Sequence, residues 1–394
     1  MNTERKYDVV VFGATGYTGL LTAEYLARQA PPDLKWALAG RNPDKLAEAR
    51  AHLAGCNSRC SALELIAADV GDAASMARLA QSTKVVITTV GPYILYGEPL
   101  VKACAEAGTH YVDLTGEPEF VDLMWLGYHE TARKNGARIV HSCGFDSIPH
   151  DLGAYFTVQQ LPAGQPIKLE GFVRAGGTFS GGTYHSAVNA FARMRKYAMT
   201  RRERMAKEDW PKDRRIGSTL QRIRFDKRVG TWVVPFPSVD PQVVRRSAAA
   251  LDRYGPNFRY GHYIQVKRLA SVAGLLGGVT GLFLGAQLKL TRNWLLSAKD
   301  PGQGPTEEQR RKGWFKVTFL GEAGGVKIRT QVTGGDPGYG ETSKMLAESA
   351  MCLARDRLPS GVAGQLTPAV AMGDALLKRL QEAGIKFEVL SREG

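Results

Sequence analysis

A glycine-rich segment directly after an apolar run constrains the fold of this chain most strongly. Residues 9–19 have the sequence VVVFGATGYTG, in which four apolar residues lead into Gly13, Gly16 and Gly19, spaced three apart. The segment that follows, LLTAEYLARQA, repeats its apolar residues every three or four positions, as an amphipathic helix does. This order of strand, glycine turn and helix predicts the first βαβ unit of a parallel sheet.

The same alternation continues along the first part of the chain. Short apolar segments alternate with helical segments of about ten or more residues, which predicts an α/β fold with a Rossmann-type doubly wound parallel sheet over residues 1–155. A length of 394 residues suits two domains. We therefore expect an inserted α/β substrate and dimerisation domain over 156–340, and a C-terminal helix and strand over 341–394 that return to the first domain.

In this setting the glycine turn predicts a dinucleotide-binding site. The first glycine allows a tight turn, the second lets the backbone approach the pyrophosphate, and the third lets the helix pack closely on the sheet. The pyrophosphate binds amides at the helix N-terminus, where the helix dipole favours anions. A glycine turn without a ligand is the competing interpretation. Cofactor contacts are expected from Gly13, Ala14, Thr15, Gly16, Tyr17, Thr18 and Gly19.

The end of the second predicted strand indicates which dinucleotide binds. NAD enzymes usually place an acidic residue here to bind the ribose hydroxyls, whereas this chain has Arg41 and Asn42, followed by Lys45. Arg41 and Lys45 suit the 2′-phosphate of NADP by charge and by the planar fork of arginine. Asp69, after the third strand, is placed either to meet the adenine or to cap a helix. The sequence therefore favours NADP, with NADPH preferred over NADH.

Several longer segments resemble a known family. VFGATGYTG, GPYILYGEPLVKACAEAGTHYVDLTGE and GFDSIPHDLG together resemble the saccharopine dehydrogenase-like oxidoreductases, nearest the branch of trans-acting enoyl reductases of lipid and polyketide synthesis. The resemblance covers the first 155 residues and resumes at 366–389. It implies an NAD(P)-dependent oxidoreductase. The GATGYTG turn departs from saccharopine dehydrogenases proper, whose turn is usually shorter, and this favours the enoyl reductase branch.

The resemblance also implies where the nicotinamide half of the cofactor binds. Gly91 and Pro92, after the fourth predicted strand, are expected along the nicotinamide ribose, with Gly116 in a loop at the same sheet edge. Hydride transfer to C=C or C=N needs a proton donor near the other atom. The candidate catalytic residues are Tyr93, Tyr96 and Asp146, and the same loops hold Asp113, Glu117, His141 and His150. For each of these residues a purely structural role competes, such as packing, helix capping or loop bracing.

The cysteines do not indicate a metal site. Five are scattered along the chain, and Cys56 and Cys60, with His52 nearby, are not followed by a second ligand pair at zinc spacing. The sequence therefore predicts no metal and reduced thiols, as in cytoplasmic proteins.

Two segments suggest an anionic or apolar partner. Residues 193–228 hold 14 Lys or Arg against 5 acidic residues, and residues 269–288 carry no charge. The basic segment suits a lipid surface or an acidic carrier protein, and a solvated helical face that is merely basic is the competing interpretation. It lacks zinc-finger spacing and an RNA-binding aromatic motif, so no nucleic acid is expected. The apolar segment has three interpretations: a buried helix or hairpin at a subunit interface, a surface element in a membrane or lipid droplet, or a transmembrane span.

Together these features predict an NADP-dependent reductase of the C=C bond in a lipid-like or carrier-bound acyl substrate. We expect a cytoplasmic homodimer, peripheral at a membrane or lipid surface. Two alternatives stay open. One is a saccharopine-type amino-acid dehydrogenase, and the other is a non-catalytic NADP-binding scaffold at lipid surfaces.

Overall fold

The chain divides into two compact units. The computed structural model describes residues 5–176, 188, 191–297 and 304–394. The first unit contains the residues up to Phe145 together with Gly338–Ala383, and the second contains most of Asp146–Pro337 together with Gly384–Gly394.

Fifteen strands lie in the described part of the chain, numbered here in sequence order. They are β1 (Tyr7–Phe12), β2 (Trp36–Gly40), β3 (Glu64–Ala67), β4 (Thr83–Thr88), β5 (His110–Val112), β6 (Arg138–Val140), β7 (Ile167–Gly176), β8 (Arg215–Ser218), β9 (Arg224–Asp226), β10 (Thr231–Pro235), β11 (Asn257–Val266), β12 (Trp314–Ala323), β13 (Val326–Gly334), β14 (Gly364–Leu366) and β15 (Lys386–Glu393).

The helices of the described residues are numbered in the same way. They are α1 (Tyr17–Gln29), α2 (Pro43–Cys56), α3 (Ala73–Ser82), α4 (Tyr93–Tyr96), α5 (Glu98–Ala107), α6 (Pro118–Asn135), α7 (Ile148–Gln159), α8 (Met194–Lys207), α9 (Asp240–Ala250), α10 (Leu269–Gln287), α11 (Lys289–Ser297), α12 (Glu307–Arg311), α13 (Gly340–Arg355) and α14 (Pro368–Glu382).

The first unit is built on a parallel sheet with strand order β3-β2-β1-β4-β5-β6-β14. Every residue of β1 is buried, because a parallel strand is covered by helices on both faces. The chain moves outward in one direction from β1 to β3 and in the other from β4 to β6, so the order reverses between β1 and β4. This confirms the predicted Rossmann-type fold. In such sheets ligands bind beyond the carboxyl ends of the strands at the reversal point.

The second unit is built on a mixed sheet with the order β15-β13-β12-β7-β11-β10-β9, in which β8 also pairs with β11. Helix α7 packs on this sheet, and a Cβ at Gly153 would lie 2.4 Å from the Phe319 ring. Because the apolar face of α7 is buried against this sheet, the boundary falls after Phe145, ahead of the predicted position at 155.

The C-terminal strand corrects a second prediction. We expected it to return to the first domain with the preceding helix, but β15 pairs antiparallel with β13 in the second sheet. The exposure of β15 explains the difference, since nearly all of its residues face water. Such a strand suits an antiparallel edge with one face in water, and it does not suit a parallel sheet covered on both faces.

The uncharged segment forms the helix α10 and leads into α11. By length and composition α10 is able to cross a membrane, yet only 12% of its 18-residue apolar window is buried within the chain. Among the described side chains of the two helices, the large exposed apolar ones are Leu269, Leu276, Val279, Leu284, Leu290 and Trp294.

Candidate dinucleotide-binding site

The turn between β1 and α1 has a geometry that depends on glycine. Gly13 has φ +89°, in the left-handed region that favours glycine, and a Cβ there would lie 2.8 Å from Val90 Cγ2. A Cβ at Gly19 would lie 2.1 Å from the carbonyl oxygen of Gly13. Any larger residue at position 19 would therefore push α1 away from the turn.

The N-terminus of α1 offers backbone amides to an anion. Gly16 is the N-cap residue, and no described side chain caps the helix there. The first amides of a helix have no partner within the helix, and at this position they point to where a phosphate would bind. Thr15 and Gly16 are exposed, so a ligand has access to the turn.

The residues after β2 include two exposed cations and a helix cap. Arg41 and Lys45 are exposed, and neither makes an ion pair within the described ranges. Asn42, predicted as a cofactor ligand, also caps α2, since its Oδ1 accepts a hydrogen bond from the Lys45 amide at 3.0 Å. Asp44 lies in the first turn of α2. Two cationic side chains are thus available at the end of β2.

Asp69 braces the loop after β3. Its Oδ1 accepts a hydrogen bond from the Gly71 amide at 2.8 Å, while the capping of α3 belongs to Asp72. Asp69 remains exposed at the edge where β1 and β2 end. The competing helix-capping role is therefore wrong for this residue.

A carboxylate holds the loop after β4. Gly91 and Pro92 lie in this loop, and Glu117 Oε1 and Oε2 accept hydrogen bonds from the amides of Tyr93 at 3.1 Å and Ile94 at 2.9 Å. Glu117 comes from the loop after β5, just beyond Gly116. It stabilises the first turn of α4, so the loops after two adjacent strands are joined at the sheet edge.

The two tyrosines of α4 have different environments. The Tyr93 hydroxyl donates to the Thr88 carbonyl at 3.1 Å, and the ring packs against Phe120 with centroids 5.8 Å apart. Burial raises the pKa of Tyr93 well above its usual value. This residue therefore has a structural role, which argues against its predicted role as proton donor. Tyr96 is 44% exposed and remains available.

A buried pair connects the ends of β5 and β6. Asp113 Oδ2 lies 2.7 Å from His141 Nδ1 and accepts a hydrogen bond from the Tyr111 hydroxyl at 2.9 Å. Asp113 Oδ1 accepts the Ser142 amide at 2.9 Å. These contacts brace two loops of the first unit from within, so the structure gives both residues a positioning role.

Asp146 begins the second unit, directly after Phe145. Burial raises the pKa of Asp146 to about 7, and the negative charge of the nearby Asp240 carboxylate contributes to this increase. His150 lies four residues further along, in the first turn of α7, and burial lowers its pKa to about 4. Both residues belong to a polar group of the second unit that also includes Asp240 and His262. Sequence reasoning missed the last two, since they lie far along the chain with no motif around them.

The predicted cofactor residues of the first unit therefore all follow strand ends of one parallel sheet. The turn Gly13–Gly19 follows β1, Arg41 follows β2 and Asp69 follows β3. Gly91 and Pro92 follow β4, and Gly116 follows β5.

Comparisons with known proteins agree with this geometry. Residues 9–140 match the model of the saccharopine dehydrogenase NADP-binding domain. A Mycobacterium tuberculosis protein, provisionally named a trans-acting enoyl reductase, is 37% identical over 98% of both chains. The saccharopine dehydrogenase-like oxidoreductase of Bos taurus is 35% identical over 98% of both chains. The chain belongs to the saccharopine dehydrogenase-like oxidoreductase family.

Membership of this family confirms the resemblance found in the sequence and makes NADP the cofactor of this oxidoreductase. The residues fit that group, because the first unit offers a glycine turn, a helix N-terminus and two cations after β2. Apo saccharopine dehydrogenase (L-Glu forming) from Saccharomyces cerevisiae shares the fold, with a TM-score of 0.54 at 13% identity, over 98% of this chain and 100% of that one.

Proposed function

We propose that this oxidoreductase uses NADPH to reduce the C=C bond of a lipid-like or carrier-bound acyl substrate. The observation that carries the proposal is the pair of exposed cations Arg41 and Lys45, placed after β2 beside a turn that only glycine can form. The full-length relative named as an enoyl reductase supports the choice of substrate class.

The residues of the chain would contribute binding and proton transfer. When bound, NADPH would supply the hydride for the β carbon of the enoyl group, and a side chain of the protein would supply the proton for the α carbon. Tyr96 is the side chain that suits this proton transfer, because it is exposed at the carboxyl edge of the sheet and its hydroxyl can donate a proton. It would regain its proton from water. Glu117 would hold α4, and thereby Tyr96, in position.

A substrate panel tests the reaction. NADPH oxidation is followed with a 2-enoyl thioester and with an oxo acid plus an amine, and NADP⁺ reduction is followed with saccharopine. We expect turnover with the thioester, and a loss of about 10²- to 10⁴-fold in turnover for Tyr96→Phe if its proton transfer is general acid catalysis. Turnover with the amino-acid substrates alone would replace the proposal with a saccharopine-type dehydrogenase. NADPH binding without any turnover would favour the scaffold.

The exposed helix α10 supports a lipid surface as the partner. Its Leu276 and Leu284 side chains are 43% and 60% exposed, and leaving such surface in water is unfavourable. Lys267 and Arg268 directly precede the helix and are also exposed. Apolar side chains flanked by cations are typical of elements that insert into an anionic membrane surface.

The basic helix α8 lies beside the same element. Phe191, three residues before α8, has its ring 6.0 Å from that of Phe283 in α10. The Phe191 carbonyl accepts a hydrogen bond from Gln287 Nε2 at 3.1 Å. Arg195 and Lys196, at the start of α8, are exposed. Positive charge is therefore concentrated next to the apolar surface, which matches the charge of anionic lipid headgroups.

Liposome flotation tests this partner. The wild type should float with vesicles that contain phosphatidylglycerol, and much less with neutral phosphatidylcholine vesicles. Leu276→Gln combined with Leu284→Gln should abolish flotation, while Leu390→Gln, at an equally exposed position on β15, should not. If the wild type stays at the bottom and the double variant changes from dimer to monomer in light scattering, the helix covers a second copy and the lipid proposal is wrong.

A further inference from the structure

Three polar side chains meet in the interior of the second unit. His150 lies in the first turn of α7, Asp240 is the first residue of α9, and His262 lies in β11. Their side chains are between 0% and 1% exposed. Asp240 Oδ2 lies 3.8 Å from His150 Nε2 and 3.5 Å from His262 Nε2. Two imidazoles thus face one carboxylate at distances too long for strong hydrogen bonds.

The surroundings of His262 and Asp240 orient these side chains but leave one polar atom of each without a hydrogen-bond partner among the described residues. His262 Nδ1 lies 3.0 Å from the Tyr260 hydroxyl, and the Ser238 hydroxyl donates to Asp240 Oδ2. Within the described residues, neither His262 Nε2 nor Asp240 Oδ1 has a hydrogen-bond partner. A buried polar atom without a hydrogen-bond partner lowers the stability of the fold by about 1–3 kcal/mol, so such an atom usually marks a bound water or ion.

We propose that His150, Asp240 and His262 bind a zinc ion. Their donor atoms all lie within 4.8 Å of one another. Tetrahedral zinc, with bonds of about 2.0–2.1 Å, separates neighbouring donors by roughly 3.4 Å, so small side-chain movements bring these atoms onto one ion. Two imidazole nitrogens and one carboxylate oxygen are ordinary zinc ligands, and a water would take the fourth tetrahedral position.

The contact of His262 with Tyr260 fits this assignment. Histidine ligands of metals usually donate the other ring N–H to an oxygen, which fixes the tautomer and the ring orientation. Here Nδ1 of His262 would donate to the Tyr260 hydroxyl, leaving Nε2 for the ion. The ring of His262 also stacks on Phe236, with centroids 5.8 Å apart. The imidazole is therefore held with Nε2 directed at Asp240.

The ion would have a structural role in the second unit. Its three ligands come from α7, α9 and β11, so binding joins two helices to the sheet. The sequence separations are 90 and 22 residues, which is why no zinc spacing is visible along the chain. The proposal is independent of the substrate, because it concerns the stability of the second unit and not the reduction step.

Metal analysis of the untagged full-length protein tests the proposal. After dialysis against buffered zinc and then against metal-free buffer, the wild type should retain about one zinc per chain by mass spectrometry. Asp240→Asn and His262→Gln should each lose most of it. His52→Gln, in which a half-exposed histidine of the first unit is replaced, is the matched control and should retain it.

Two further readouts keep the test decisive if a variant folds poorly. A strong zinc chelator should lower the melting temperature of the wild type, and added zinc should restore it. Cobalt(II) should give the intense visible bands of a tetrahedral site. A wild type that retains less than about one-tenth of an equivalent of zinc, with a melting temperature insensitive to the chelator, would overturn the proposal. Retention of iron in place of zinc would also overturn it, since two histidines and one carboxylate suit ferrous iron as well.

Discussion

At the scale of single residues, Gly19 shows how one absent side chain makes the cofactor turn possible. A Cβ at this position would lie 2.1 Å from the carbonyl oxygen of Gly13. The substitution Gly19→Ala must therefore displace α1 or the turn. We expect NADPH binding to weaken at least about tenfold, which corresponds to 1.4 kcal/mol, in calorimetric titration.

A second glycine provides the matched control for this substitution. Gly127 lies on the exposed side of α6, where an added Cβ would meet nothing within 4 Å. Gly127→Ala should leave binding unchanged and stabilise the fold by up to about 1 kcal/mol, because alanine favours helix. Equal binding by the Gly19→Ala protein and the wild type would contradict the assigned turn.

Arg41 carries the cofactor preference at the same scale. It is exposed after β2 and makes no ion pair with the described residues, so its guanidinium is available to the 2′-phosphate of NADPH. A hydrogen bond to a charged group is worth about 1.5–3 kcal/mol, so Arg41→Ala should weaken NADPH binding roughly 10- to 100-fold. Binding of NADH, which lacks this phosphate, should change little.

The control for Arg41 is Arg59, an exposed arginine that precedes β3 at the opposite, amino end of the strand. Arg59→Ala should bind both cofactors as the wild type does. An Arg41→Ala protein that loses NADH and NADPH binding to the same extent would indicate a collapsed loop and not a phosphate contact.

At the scale of elements, the four-residue helix α4 depends on a carboxylate from outside it. A helix this short has no stability of its own, and Glu117 accepts the amides of both Tyr93 and Ile94. Glu117→Ala should speed hydrogen exchange at these two amides and weaken NADPH binding, since the loop with Gly91 is released. Glu106→Ala, an exposed position in α5, is the control and should change neither quantity.

The same elements show what could be predicted from the sequence. The β1 turn and the alternation up to residue 140 were predictable because their periodicity and glycine spacing are local. The role of Glu117 was not, since the contact joins loops after two different strands, 24 and 23 residues apart along the chain. The choice between a catalytic and a packing role for Tyr93 could not be made from the sequence for a similar reason. Its burial comes from Phe120, on a helix that follows the next strand.

At the scale of the whole molecule, contacts between residues far apart in sequence determine features that local sequence patterns do not predict. The C-terminal strand β15 has a strand-like sequence, but only its partner β13 shows which sheet it joins. The polar group of His150, Asp240 and His262 likewise exists only because the second sheet brings β11 near α7 and α9. Neither arrangement has a local sequence pattern, so both required the structure.

A charge network ties the second sheet together and makes its stability depend on pH. Arg228 contacts Asp226 at 2.6 Å and Glu170 at 2.7 Å, which joins β9 to β7 across two intervening strands. Burial alone would raise the pKa of Asp226, but hydrogen bonds from Arg228 and Arg224 outweigh it and lower the pKa to about 2. Because the folded pKa lies below the unfolded value of about 3.9, the network stabilises the protein above that value and loses its effect as the pH falls towards 2.

Replacement of Arg228 by methionine measures this contribution. Since Arg228 is 41% exposed, water screens the pair, and we expect Arg228→Met to lower the free energy of unfolding at pH 7 by about 1 kcal/mol in urea titrations. The difference from the wild type should shrink below about pH 4 as the unfolded Asp226 protonates. Arg311→Met removes an ion pair that is mostly exposed on both sides and should cost nothing measurable. A difference between Arg228→Met and the wild type that stays constant from pH 7 to pH 3 would mean that Arg228 acts through packing, with its charge making no contribution.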